Sequence, residues 1–147
     1  MAKRVEVVGA VIVRDDTVLA ARRGQSKALP GMWEFPGGKI EKGETPEAAL
    51  RREIQEELDC RIEVGQKIQT TSYQYDFGIV TLTTFYARLT SGEPRLSEHS
   101  ELRWIRAAQL DALDWAPADI PAVLRVIEYL TAALFPPAPQ KGTALHP

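Results

Sequence analysis

The chain has 147 residues, 44% of them hydrophobic and 26% charged, with a net charge of -2 and a single cysteine. That length suits one domain with a core of its own, and the balance is that of an ordinary globular protein. The charge excludes a general attraction to nucleic acid or anionic membrane, Cys60 alone excludes an internal disulfide, and no run matches a transmembrane helix or a signal-peptide core.

In chain order, "VEVVGAVIVR" (5–14) and "VLAARR" are rich in β-branched and small apolar residues and predict two strands joined by "DDT". Arg22, Arg23 and Lys27 form a basic cluster able to make a local anion site. Residues 24–32, "GQSKALPGM", predict a loop before "WEF". Thr45 is an N-cap, Pro46 fits the first helical position, and Ala48, Ala49, Leu50, Ile54 and Leu58 carry the helix to residue 58. Residues 68–75 and 79–89 predict a hairpin around "DFG", "ELRWI" (101–105) a further strand, and "AAQLDAL" a short helix. The stretch "IPAVLRVIEYLTAALF" has apolar residues at helical spacing, and "PPAPQKGTALHP" predicts a disordered tail. Strands interleaved with helices predict an α/β or α+β sandwich, one domain over 1–135 and a tail over 136–147. The expected setting is the cytoplasm.

The segment "GGKIEKGETPEAALRREIQEELDC" (37–60) raises a chemical question. Glu53, Glu56 and Glu57 crowd one helix face near its C-terminal end, where the peptide dipole is already negative. Each like-charge pair at spacing three or four costs about 0.2–0.5 kcal/mol. A solvated acidic face explains such a run as well as a cation does. Oxygen-only ligands suit hard cations, so the cation would be Mg²⁺, with Mn²⁺ able to substitute. A Walker phosphate loop is excluded, because Ile40 follows Lys39 and Trp33 stands where the first glycine belongs.

The spacing narrows the choice. Five residues separate Gly38 from Glu44, seven more precede Arg52, and "REIQEELDC" follows. This closely resembles the Nudix box, with every charged position filled: Glu44, Arg52, Glu53, Glu56 and Glu57. Ile54 and Cys60 take the apolar positions, and Asp59 stands where the pattern has glycine at a left-handed cap. The likeness extends over about residues 4–134. "WEFPGGKIEKGETPEAALRREIQEEL" is similar to the MutT branch, and "EHSELRW" and "APADIP" to the CTP pyrophosphohydrolase branch. It implies a mixed sheet sandwiched between helices, and hydrolysis of a nucleoside diphosphate linked to a further group. For a nucleoside triphosphate the products are the monophosphate and pyrophosphate.

By the same resemblance, Glu53, Glu56, Glu57 and the more distant Glu98 would hold the metal and serve catalysis, with the carbonyl of Gly37 or Gly38 as a further ligand. Either Glu53 or Glu98 would activate water. Arg52 would orient a carboxylate and Glu44 support the loop. Arg23, Glu34, Phe35, Pro36, Gly37, Lys39 and Asp119 would face the substrate. Arg23 also reads as a solvated strand end and Glu98 as a surface charge. Trp33, Trp104 and Trp115 read as core or wall, Cys60 as a small core residue and His99 as an exposed loop histidine; His146 lies in the tail.

The MutT branch has an asparagine where this chain has Asp119. An ionised aspartate only accepts hydrogen bonds and would favour the amino group of cytosine. A buried, protonated one could donate to O6 of 8-oxoguanine. Asp119 also reads as a cap of the last helix. The expected substrates are 8-oxo-dGTP, CTP or a 5-substituted dCTP. A dinucleoside polyphosphate, a nucleotide sugar and a non-catalytic nucleotide-binding module are the alternatives. No stable nucleic-acid complex, no membrane and a monomer complete the expectation.

Overall fold

The computed structural model describes residues 3–134, so the tail expected over 136–147, with His146, lies outside the described residues. Strand β1 (Arg4–Arg14) is the axis of the fold. Its residues alternate between two cores, as the period of two in a strand requires. Val8, Ala10 and Ile12 face one cluster with Leu50, Ile54 and Leu58, while Val11 faces another with Trp33, Trp115, Val123 and Val126. A strand buried on both faces reads as a continuous apolar run, which is why "VVGAVIV" is so uniformly hydrophobic.

Around β1 the described residues form a seven-stranded mixed sheet. Strand β2 (Thr17–Arg22) returns antiparallel and pairs with β3 (Trp33–Glu34). Strand β4 (Gly37–Lys39) lies antiparallel to Val7–Gly9 of β1. Helix α1 (Pro46–Leu58) follows, then the long hairpin of β5 (Arg61–Tyr75) and β6 (Gly78–Ser91), with β6 parallel to β1. Strand β7 (Glu101–Arg106) pairs with β2, and helix α2 (Ile120–Leu134) closes the second core. A mixed sheet between helices is the architecture expected.

Three local departures have physical reasons. β3 and β4 were not foreseen as strands, because two- and three-residue pieces containing glycine show no alternation. β5 begins at Arg61 rather than 68; irregular register around Lys67 breaks the alternation that marks a strand. "AAQLDA" forms a 3₁₀ helix, and a second 3₁₀ turn, Pro117–Asp119, leads into α2. The helix ends of α1 agree with the reading: Thr45 Oγ1 accepts from Ala48 N at 3.1 Å, and Asp59 takes the left-handed conformation, φ 53° and ψ 43°. Its N–H donates to Gln55 O at 3.2 Å.

Candidate active site

One cavity of about 570 Å³ opens between α1, the Gly37–Lys39 strand and the wall formed by β3 and the 117–119 turn. Of the residues expected there, Arg23, Glu34, Phe35, Gly37, Gly38, Lys39, Glu53, Glu57, Glu98 and Asp119 all line it. Pro36 is buried behind this wall, its carbonyl accepting from Ala10 N at 2.8 Å. Glu56 lies outside the lining, with its side chain 60% exposed and 3.3 Å from Arg52 Nη1. The basic cluster also divides. Arg23 and Lys27 line the cavity, whereas Arg22 donates from Nε to Gly31 O at 3.0 Å.

On the α1 side, Arg52 is the organising cation. Its Nε and Nη2 grip the two oxygens of Glu44 at 2.7 and 2.8 Å, and Nη1 donates to Glu53 Oε1 at 2.8 Å. Nη2 also reaches Lys39 O at 3.0 Å, and Glu44 Oε1 accepts from Glu41 N at 2.9 Å. The guanidinium and that amide hold the Glu44 carboxyl down at about 2. Arg52 therefore joins the loop, the glycine strand and the helix with charge-assisted bonds. The helix thus carries a positive partner of its own for Glu53, the carboxylate contact expected of Arg52.

The glycine doublet is required by space rather than by turn geometry. A Cβ on Gly37 would fall 1.9 Å from Val8 O, and one on Gly38 2.1 Å from Glu53 Oε2. Backbone at Gly38 therefore touches the Glu53 carboxylate through the gap a side chain would fill.

Glu57 is the strained member. Burial, only partly countered by His99, raises its carboxyl to about 7, with further repulsion from Glu53, Glu34 and Glu98. Its Oε2 is buried with no hydrogen-bond partner. An orphaned acceptor beside three other carboxylates fits a hard divalent ion in donor type, together with Glu53 and the backbone of Gly38. Among the described residues no three acidic, histidine or cysteine side chains stand as a ready cluster. Arg52 holds Glu53 and Glu56 instead, and Glu98, 60% exposed, is 4.0 Å from Lys27 Nζ.

The opposite wall has its own network. Glu34 Oε1 accepts from Arg23 Nη1 at 2.8 Å, and Oε2 lies 2.9 Å from His99 Nε2. Burial works against its charge, but these two partners outweigh it and hold the Glu34 carboxyl below its usual range. Asp119 is only 5% exposed, and its Oδ2 accepts from Phe35 N at 3.0 Å. Burial, with repulsion from Glu34, drives its carboxyl well above the usual range. Asp119 Oδ2 thus pairs with Phe35 N, just past β3, and not with the first turn of α2, so the helix-cap reading is replaced.

His99 also corrects the sequence reading. It is 8% exposed, not a solvated loop residue, and it lines the cavity. Its sequence signal was adjacency to Glu98, and the partner that buries it, Glu34, lies 65 positions away. Tyr75 was missed for the same reason: its hydroxyl accepts from Ala118 N at 2.8 Å and its ring lines the cavity. Phe35 and Trp115, with ring centroids 4.7 Å apart, back the wall. Trp33 and Trp115 are core, as expected, and Cys60 is a buried thiol that burial raises to about 11.

The NUDIX domain family matches residues 3–126. The chain belongs to the Nudix family. A Mycobacterium tuberculosis protein provisionally named 8-oxo-dGTP diphosphatase 2 is 42% identical over 120 residues, covering 77% of this chain and 81% of its own. The Escherichia coli CTP pyrophosphohydrolase is 35% identical over 119 residues, 81% of this chain and 88% of its own. A solution structure from Staphylococcus aureus, described as DNA mismatch repair protein MutT of the Nudix hydrolase family, is 50% identical and covers 88% of this chain and 99% of its own, with a TM-score of 0.74. These relatives place this Nudix hydrolase in the MutT and CTP pyrophosphohydrolase branch, whose members use divalent metal ions.

Proposed function

We propose that this Nudix hydrolase cleaves nucleoside triphosphates to the monophosphate and pyrophosphate, removing 8-oxo-dGTP and CTP or 5-substituted dCTP from the nucleotide pool. The observation that carries the reading is the single cavity joining Glu53, Glu57 and the glycine doublet to Glu34 and Asp119. A triphosphate lies toward the first group and the base toward the second.

The resident ion is Mg²⁺, which Mn²⁺ can replace. Glu53, Glu57, Glu56, Glu98 and the backbone of Gly37 or Gly38 would hold it. Bound there, it neutralises phosphate oxygens and lowers the pKa of the attacking water. Arg52 fixes Glu53 by its 2.8 Å bond, so that the carboxylate needs little reorganisation during reaction. Glu53 or Glu98 takes the proton from water. Arg23 and Lys39 contact the phosphates, while Phe35, Val8 and Leu82 offer apolar wall to the base.

Base choice follows from the two acids in different states. Glu34, held ionised by Arg23 and His99, only accepts hydrogen bonds. Asp119, its carboxyl pushed well above the usual range chiefly by burial, favours the protonated form that can donate. A donor beside an acceptor suits the N3 and N4 amino edge of cytosine, and equally the O6 and N1–H edge of 8-oxoguanine. This supports both bases in one site.

The test is a nucleotide panel with Mg²⁺, products separated chromatographically with no added pyrophosphatase. Monophosphate plus pyrophosphate from 8-oxo-dGTP and from CTP or 5-methyl-dCTP is the expected result. Orthophosphate plus a diphosphate, or turnover confined to dinucleoside polyphosphates or nucleotide sugars, overturns it. The protein acts in the cytoplasm as a monomer free of nucleic acid and membrane; size-exclusion chromatography with light scattering checks the first of these.

A further inference from the structure

The loop between β6 and β7 is fastened to three separate parts of the cavity. Behind α1, Arg95 N donates to Leu58 O at 2.8 Å and Ser97 Oγ to Glu57 O at 2.6 Å. These bonds satisfy carbonyls that a helix C-terminus leaves open, next to the residue whose side chain carries the orphaned oxygen. At the end of β2, Ser100 N donates to Arg22 O at 2.9 Å. Between them, Glu98 faces the cavity and His99 turns inward to Glu34. The loop therefore has one carboxylate on the metal side and one imidazole on the base side, in adjacent residues.

We propose that His99 is a positioning residue that couples the base-reading wall to the metal-side carboxylates: its Nε2 holds Glu34, and the loop it anchors carries Glu98 and is pinned behind Glu57.

Two features argue against a purely structural imidazole. Its Nδ1 is buried with no hydrogen-bond partner, a cost to stability that a packing residue would not need. Glu57 Oε2 is likewise buried without a partner, and His99 is one of the charges that acts on Glu57. Glu34 in turn acts electrostatically on both Glu57 and Asp119, so the Glu34–His99 pair stands between the two sides. A base engaging Glu34 competes with His99 for the same carboxylate oxygen. The histidine shifts with it, and the adjacent Glu98 moves too, because both lie between the Ser97 and Ser100 anchors of the same short loop. Correct base contact is thereby transmitted to the groups that hold the metal.

This inference rests on the proposed nucleotide reading, and the test separates the two. Mn²⁺ affinity is measured by calorimetry with and without saturating cytidine or 8-oxo-2′-deoxyguanosine. These nucleosides lack phosphate and cannot touch the metal, so any coupling passes through the protein. Wild type should bind Mn²⁺ at least about fivefold more tightly with nucleoside present. In His99→Ala that gain should fall below about twofold while Mn²⁺ affinity without nucleoside changes little. His99→Gln, which retains an N–H able to reach Glu34, should recover most of it. A His99 that only supports the fold would lower the melting temperature and leave the coupling intact in the folded protein. Full coupling in His99→Ala, or none in wild type that still hydrolyses triphosphates, overturns the proposal. Failure of wild type to bind either nucleoside or hydrolyse any triphosphate overturns the function itself.

Discussion

The two walls of the cavity treat buried negative charge in opposite ways. On the α1 side, Glu57 is left with a bare oxygen among like charges, and Arg52 spends its donors on Glu44, Glu53 and Glu56. Across the cavity, Glu34 has both oxygens engaged and Asp119 accepts a backbone amide. One wall leaves a buried carboxylate oxygen without a partner. On the other, both carboxylates have protein partners, yet their surroundings push Glu34 below and Asp119 above the usual carboxylate range. The lesson is that carboxylates in one cavity do unlike work when their partners differ.

The largest expected effect breaks the first wall. Glu53→Gln or Glu57→Gln should lower Mg²⁺-dependent kcat by roughly 10²–10⁴-fold, the scale of a lost proton acceptor or metal ligand, with the fold preserved by circular dichroism. Wild-type turnover in either variant would end the comparison. Running Glu98→Gln beside them tells which of Glu53 and Glu98 receives the water proton, since the variant at the acceptor should show the steeper loss in kcat at constant Mg²⁺ affinity.

The second prediction probes the opposite wall. Asp119→Asn keeps a donor and an acceptor, so kcat/KM for 8-oxo-dGTP at neutral pH should stay within about threefold of wild type, well inside the cost of a lost buried hydrogen bond. Because the Asp119 carboxyl is raised, it retains its proton through the ordinary carboxylate range and loses it only as pH climbs through the folded value. Wild-type kcat/KM should therefore decline on the alkaline side relative to Asp119→Asn. Parallel pH profiles would mean that the base is read elsewhere.

A smaller effect sharpens the contrast without any substrate. In metal-free protein, Glu57 sits at about 7 rather than 4.5, so the folded state favours its protonated form. Stability attributable to this group is present below pH 4.5 and is lost as pH rises to 7 and beyond. Glu57→Gln carries no such charge. With chelator present, the variant should match wild type near pH 4.5 and exceed it at pH 8 by about 1–2 kcal/mol, a figure already reduced for solvent screening. Chemical denaturation at the two pH values reads the difference, and equal stability at pH 8 would show that Glu57 is not strained.

The smallest concerns the helix end. Asp59 occupies a left-handed conformation that glycine adopts freely. Asp59→Gly should stabilise the protein by roughly 0.5–1 kcal/mol, since its pair with Arg95 is an exposed contact at 3.6 Å. A thermal melt settles it, and destabilisation would assign that pair a larger role.

The same division decides what could be read from residues alone. Thr45 and Pro46 follow the rules of capping, the Glu44, Arg52, Glu53 grouping follows the pattern of the Nudix box, and the structure shows the cap and the Arg52 bonds. Glu56 met that pattern too, yet it turns to Arg52 and away from the cavity; spacing places a Cα on a face but does not choose a rotamer. His99 and Tyr75 were misread or missed because burial is a property of the assembled sheet. No local pattern marks a histidine that will be covered by β3. The raised carboxyl of Asp119 belongs to the same class, since it comes from burial in the assembled wall and from Glu34 arriving beside it.

The sequence separations that these bonds span also bear on the order of assembly. The Arg52 bonds to Glu44, Glu53, Glu56 and Lys39 span at most 13 positions, whereas Ser97 to Glu57 spans 40, His99 to Glu34 65 and Asp119 to Phe35 84. Closing the longer loops carries a larger entropy cost and waits for the sheet that brings their ends together. By that argument the acidic helix with its arginine brace should form before the wall of Glu34, His99 and Asp119. A nascent or partly unfolded chain would thus display cation-hungry carboxylates before it had any means of choosing a nucleotide.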